Sequence, residues 1–133
     1  MKIKGTGKPR TPNPANPLKD NQKEKQKTYY IDFDGTIAYY DPNGNSGDIG
    51  EPIPGMLDKI NNWIKQGIKI KIFTGRANIP ESIKPMKLWL KLNGFPELEI
   101  TNTKGIDHDL ILDDKAREVI FNTGVICDRT GDI

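Results

Sequence analysis

Tyr29-Tyr30-Ile31-Asp32-Phe33-Asp34-Gly35-Thr36 decides the fold class of this 133-residue chain. Its first five residues are aromatic, β-branched or apolar around one acid, and Asp34-Gly35 then breaks the run. That pattern predicts a buried strand over 29–33 running into a turn. Downstream, residues 37–54 are rich in Pro, Gly, Asn and Asp and predict a loop or short flap. In 55–66, Met56, Leu57, Ile60, Trp63 and Ile64 fall on one helical face, which Gly67 ends. Ile68, Ile70, Ile72 and Phe73 alternate with Lys69 and Lys71 as a second strand, and Thr74-Gly75-Arg76 follows as a loop. Residues 80–93 read as a helix that Pro85 kinks or splits and Gly94 ends. Residues 98–101 and 109–113 read as a third and fourth strand, 115–121 as a short helix, and 125–127 as a last strand. Strands alternating with helices predict an α/β fold. The expected architecture is a Rossmann-like parallel sheet with helices on both faces, built as one domain over 29–133.

Upstream of the quoted stretch the composition changes. Residues 1–28 hold eight Lys/Arg against two acids, a net +6, with four of the ten prolines. Residues 29–133 hold twelve Lys/Arg against sixteen acids, a net −4, so the overall +2 averages a basic segment and an acidic one. The basic segment has few apolar residues without periodicity. It is expected to be a disordered tail, with salt-sensitive contact to nucleic acid or another polyanion as its functional reading. It lacks the apolar run of a secretory signal. Cys127 is the one cysteine, so no internal disulfide forms, and no stretch approaches the length of a membrane span. A cytoplasmic protein without membrane contact is expected.

Chemistry concentrates where a parallel sheet binds ligands, beyond the carboxyl ends of its strands. The first strand ends in Asp32-Phe33-Asp34-Gly35-Thr36 and the second in Thr74-Gly75-Arg76. The third ends near Lys104 and the fourth in Asp113-Asp114. A carboxylate can act as a nucleophile towards phosphorus. Asp32 and Asp34, two residues apart on an extended segment, point the same way. Several carboxylates facing a phosphate need a hard cation, and Mg²⁺ takes oxygen ligands of this kind; Asp113 and Asp114 are placed to complete its shell. Gly35 permits close backbone approach. The Thr74 hydroxyl, the amides of the Gly75 turn and the Lys104 ammonium suit phosphate oxygens.

With those residues in order, the chain resembles the haloacid dehalogenase superfamily. Asp32–Ile37 is similar to its first motif and Ile72–Arg76 to its second; Lys104 is similar to the third, and Leu110–Asp114 to the acidic fourth. The resemblance implies a phosphatase. Asp32 would attack phosphorus. Asp34 would act as acid and then base, its main-chain carbonyl on Mg²⁺. Asp113 would be a direct metal ligand, with Asp114 beside it. The stretches at 38–53 and between Thr74 and Lys104 leave no room for a cap domain, so a capless member with an open site is expected. A phosphorylated, possibly macromolecular substrate then follows, or an oligomer whose neighbouring subunit substitutes for the lid. Within the enzymes, the motif order and the closing Asn122–Cys127 and Gly131–Ile133 loosely resemble the 3′-phosphatase half of bacteriophage-type polynucleotide kinase-phosphatases. A phospho-acceptor signalling domain and a polyanion-binding protein are the alternatives from other classes.

Two further features carry no chemistry. Asp41-x-Asn43-x-Asn45 begins like a calcium loop but has Ser46 where glycine is needed and Pro52 where the bidentate Glu belongs. His108 and Cys127 have no neighbours in a recognisable motif.

Overall fold

The computed structural model describes residues 25–44, 48–106 and 108–128. The expected tail over 1–28 therefore lies outside the described residues, apart from its last four. The elements in chain order are β1 (Thr28–Ile31), α1 (Met56–Lys65), β2 (Lys69–Phe73), α2 (Ile83–Leu92), β3 (Glu99–Thr101), β4 (Leu110–Leu112), β5 (Glu118–Val119) and β6 (Ile126–Cys127). β1 to β4 form one parallel sheet in the order β3-β2-β1-β4, so the α/β class stands.

The register separates two unlike sheet faces. Tyr29, Ile31, Ile70, Ile72, Ile100, Leu110 and Leu112 share one face, with Tyr29 beside Ile70 and Leu110, and Ile72 beside Ile31 and Ile100. Ile31, Ile70 and Ile72 join the buried helix residues Ile60, Met86 and Leu90 in a single apolar cluster. Tyr29 packs edge-on against Trp63 of α1, and Phe33 against Trp89 of α2. Right-handed crossovers explain why both helices lie here: β1-α1-β2 and β2-α2-β3 step across the sheet in the same direction. The other face carries Tyr30, Lys71, Phe73 and Glu99. Lys71 sits 3.7 Å from Glu99 and lies over the Tyr30 ring, which also meets Phe73 and His108 edge-on. The Gly105 amide donates to the Tyr30 hydroxyl at 2.9 Å, so the loop after β3 seals a ring that is 1% exposed. Among the described residues the expectation of helices on both faces is not met, because both helices pack on the first face. A loop, not a helix, makes the β3–β4 crossover.

Both helices close in the same way. Ile68 N donates to Trp63 O and Phe95 N to Leu90 O, Schellman closures that need Gly67 and Gly94 at φ +86° and +81°. Pro85 neither kinks nor splits α2. The helix starts at Ile83, after a 3₁₀ turn at Pro80–Ser82, so Pro85 falls in the first turn, where amides have no intrahelical acceptor.

The expected helix over 115–121 is absent. Instead β5 and β6 pair antiparallel, with Glu118 opposite Cys127 and Val119 opposite Ile126, and Asn122 takes a φ of 59° in the turn. Seven residues are few for a helix nucleus, and β-branched pairs flanking Asn-Thr-Gly favour a hairpin. Residues 125–127 therefore extend this ribbon and not the parallel sheet. Arg117 and Asp128, flanking the pair, sit 3.8 Å apart. Gln26–Asp114 form one compact unit, and 115–128 belong to another. No helix among the described residues is long and apolar enough to cross a membrane.

Candidate active site

The strand order reverses at β1: β2 and β3 lie on one side of it and β4 on the other. At such a switch point the loops leaving two adjacent strands diverge and open a crevice. Asp32 leaves β1 and Asp113-Asp114 leave β4 at this place. The Asp32 amide donates to Leu112 O at 2.8 Å, which extends the ladder one residue and aligns the two strand ends.

The carboxylate oxygens of Asp32, Asp113 and Asp114 come within 4.8 Å of one another, a grouping that could hold a metal ion. Thr36 Oγ1 lies 3.2 Å from Asp32 Oδ2 and 3.2 Å from Asp114 Oδ1, with one proton to donate to both. Burial, then the hydrogen bond with Asp114, then the charge of Asp113 push the Asp32 carboxyl up to about 7; the Phe33 amide and Thr36 pull the other way. Three facing carboxylates repel, and a cation among them would relieve that repulsion. An all-oxygen donor set fits a hard divalent ion.

The loop after Asp32 is wound tightly. Phe33 O accepts from the Ile37 and Ala38 amides at 2.8 and 3.0 Å, and Phe33, Ile37 and Ala38 are fully buried. Gly35 has a φ of +87°, and a Cβ there would stand 2.9 Å from the Asp114 carboxylate. The position therefore favours glycine for its left-handed backbone, and an added side chain would have to displace the Asp114 carboxylate.

Asp34 does not join the acidic group by its carboxylate. Arg76 Nε donates to Asp34 Oδ2 at 2.6 Å and Arg76 Nη2 to Oδ1 at 2.9 Å. The ion pair holds the guanidinium even more firmly protonated than usual. Arg76 Nη2 also donates to Asp48 O at 2.7 Å. Thr74 is buried, and its Oγ1 accepts from the Arg76 amide at 3.1 Å, capping the 3₁₀ turn Gly75–Asn78. Gly75 opens that turn and is exposed. Lys104 is exposed in the loop after β3, and no described hydrogen bond or ion pair joins it to the acids.

The predicted flap is a short ribbon over this loop. Tyr39 N donates to Glu51 O and Ile53 N to Ile37 O, both at 2.8 Å, and Trp89 Nε1 ties it to α2 through Gly50 O at 2.9 Å. Tyr39 and Tyr40 are 54% and 55% exposed. A cavity of about 340 Å³ opens elsewhere, beside the end of α2 between Leu90, Phe95 and Leu98, and shares no residue with the acids.

Of the residues predicted from sequence, Asp32, Asp113 and Asp114 are brought together, with Gly35 against Asp114. Asp34 is held apart by its arginine. Sequence reasoning missed the role of Thr36 and, while reading Arg76 as structural or substrate-facing, missed its partner Asp34. The signal for Arg76 is the register: Ile31 pairs with Ile72, which puts Asp34 and Arg76 beyond the ends of neighbouring strands.

No protein-family model and no curated protein matches the chain. A solved structure of a conserved protein from Bacteroides thetaiotaomicron is similar to it, with a TM-score of 0.56 and 22% identity over 69% of this chain and 78% of that one. At that identity the likeness is one of fold.

Proposed function

We propose that this chain is a Mg²⁺-dependent phosphatase of the haloacid dehalogenase type, with Asp32 as covalent nucleophile. The observation that carries the reading is the meeting of Asp32, Asp113 and Asp114 within 4.8 Å at the switch point of a parallel sheet. An Asp32 oxygen bonds to phosphorus as the bond to the ester oxygen breaks, and that oxygen takes a proton from Asp34. Asp34, now a carboxylate, then accepts a proton from water as the water oxygen bonds to phosphorus and the Asp32–phosphoryl bond breaks. Inorganic phosphate leaves, and both acids return to their starting states. Mg²⁺, held by Asp32, Asp113, Asp114 and the Asp34 main-chain carbonyl, would offset the charge gathered among carboxylates and phosphate. The Thr74 hydroxyl, the Gly75 amide and Lys104 supply hydrogen-bond donors and positive charge for the phosphate oxygens.

The test is phosphate release from a generic aryl phosphate with and without Mg²⁺. Asp32→Asn should abolish turnover and leave the fold intact, and Asp113→Ala should weaken the Mg²⁺ requirement curve towards higher concentration. Turnover in chelator, or activity above a few per cent in Asp32→Asn, would remove the assignment. A phospho-acceptor domain or a polyanion-binding protein would show essentially no turnover at all.

A second, narrower reading is favoured by the flap. Exposed Tyr39 and Tyr40 suit a base or another flat group next to the phosphate, as at a polynucleotide 3′ end. The basic composition of residues 1–28 points to the same class of partner.

A further inference from the structure

We propose that Arg76 is a positioning residue that locks Asp34 and the flap into one unit, so that the aim of the proton-transferring carboxyl depends on the seating of the flap. Three bonds carry this. The fork from Arg76 occupies both Asp34 oxygens, at 2.6 and 2.9 Å, and the same Nη2 that holds Oδ1 reaches Asp48 O at 2.7 Å. The Arg76 amide is fixed in turn by Thr74 Oγ1 at 3.1 Å, and its guanidinium lies 6.0 Å over the buried Phe33 ring. The guanidinium is therefore anchored from β2 below and from Phe33 at its face. Neither Asp34 nor the flap backbone can shift without breaking a charge-assisted bond. A planar fork imposes this geometry where an ammonium, a point charge on a flexible stem, does not.

The inference rests on the phosphatase reading, in which Asp34 protonates the leaving oxygen. That role gives a signature that general structural damage does not. A nitrophenolate leaves without help from an acid, whereas an alkoxide needs the proton. We compare wild type, Arg76→Ala, Arg76→Lys, Asp34→Asn and the Arg76→Ala/Asp34→Asn double variant on p-nitrophenyl phosphate and on a simple alkyl phosphate, with Mg²⁺. Arg76→Ala should lose roughly 10²-fold or more in kcat on the alkyl ester, the low end of what general acid catalysis supplies. On the aryl ester the first-turnover burst of nitrophenolate should stay within a few-fold while the later steady-state rate falls, with little change in KM on either ester. The later rate falls because Asp34 is also the base for the second step, which both esters share. Arg76→Lys should not restore the alkyl activity, and the double variant should be no worse than Asp34→Asn. Equal losses of the first-turnover rate on both esters, a change confined to KM, or additive losses in the double variant would overturn the proposal.

Amide exchange supplies a readout independent of turnover. The Tyr39 and Ile53 amides, which hold the flap ribbon, should lose protection in Arg76→Ala and in Asp34→Asn to the same degree, while α1 amides keep theirs. Unchanged protection in Arg76→Ala would overturn the coupling. If the wild type cleaves neither ester, the phosphatase reading fails, and the exchange data still decide whether Arg76 joins Asp34 to the flap.

Discussion

Asp32 sits half-buried between two other acids, and its environment has measurable consequences. Burial, then Asp114 and then Asp113 push the Asp32 carboxyl up to about 7, against 3.8 ordinarily. Between these values the folded chain binds more protons at this site than the unfolded chain does, so its contribution to stability is greatest below about pH 4 and is lost as the pH rises to about 7. In chelator, wild type should therefore lose Tm relative to Asp32→Asn across that window, and saturating Mg²⁺ should flatten the difference. A wild-type Tm that tracks Asp32→Asn at every pH would show that the strain is not there. Gly35 gives the complementary test. Gly35→Ala forces a Cβ to within 2.9 Å of the Asp114 carboxylate at φ +87°. The left-handed backbone alone costs about 1–2 kcal/mol, so the variant should melt several degrees lower and bind Mg²⁺ more weakly. Retention of both properties would mean that Asp114 stands further from the loop than the structure places it.

At the scale of elements, what the sequence discloses is what local chemistry dictates. β1 and β2 are legible because alternating apolar residues leave one strong solution, and the end of each long helix is legible because a glycine must follow it. The acidic group is legible for a related reason: each acid directly follows a strand, and strand ends converge. The start of α2 is not, since periodicity blurs an α-helix with the 3₁₀ turn before it, and with the start misplaced Pro85 looks like a breaker. Its position in the first turn is testable. Pro85→Ala loses no hydrogen bond and should change stability by less than about 1 kcal/mol. A proline interior to the helix would instead yield about 3 kcal/mol on replacement. Urea melts of the two proteins distinguish these. The Lys115–Phe121 segment is misread because Lys, Ala, Arg and Glu favour a helix on propensity alone, whereas the turn at Asn122 that makes it a ribbon lies just outside it. The Arg76–Asp34 pair is hidden for another reason: it joins residues 42 positions apart and exists only once the β1–β2 register is set.

For the molecule as a whole, the decisive property is how little, within the described residues of Gln26–Asp114, covers the proposed phosphate site. Within Gln26–Asp114 the two stretches where a cap would be inserted are occupied by the flap ribbon and by the 3₁₀ turns with α2. A cap excludes water and grips the leaving group of a small metabolite. In the proposed reading, the flap is what Gln26–Asp114 offers for those contacts, together with the surface the substrate itself brings. Kinetic constants for a 3′-phosphorylated oligonucleotide, a phosphopeptide, a nucleoside monophosphate and a hexose phosphate should rank the extended substrates above the hexose phosphate in kcat/KM. If a base stacks on the exposed Tyr39 or Tyr40, replacing either by Ala should cost the oligonucleotide about 1–3 kcal/mol and leave the hexose phosphate unchanged. Binding of the oligonucleotide should also weaken steeply with salt if the basic residues of 1–28 contribute, because released counterions drive such contacts. A chain shortened to begin at residue 25 should then keep its turnover of a small aryl phosphate and lose the salt dependence. A preference of the monomer for the hexose phosphate would overturn the argument from the open site. The same preference in an oligomer would assign the missing lid to a neighbouring subunit, which sedimentation at the assay concentration would reveal.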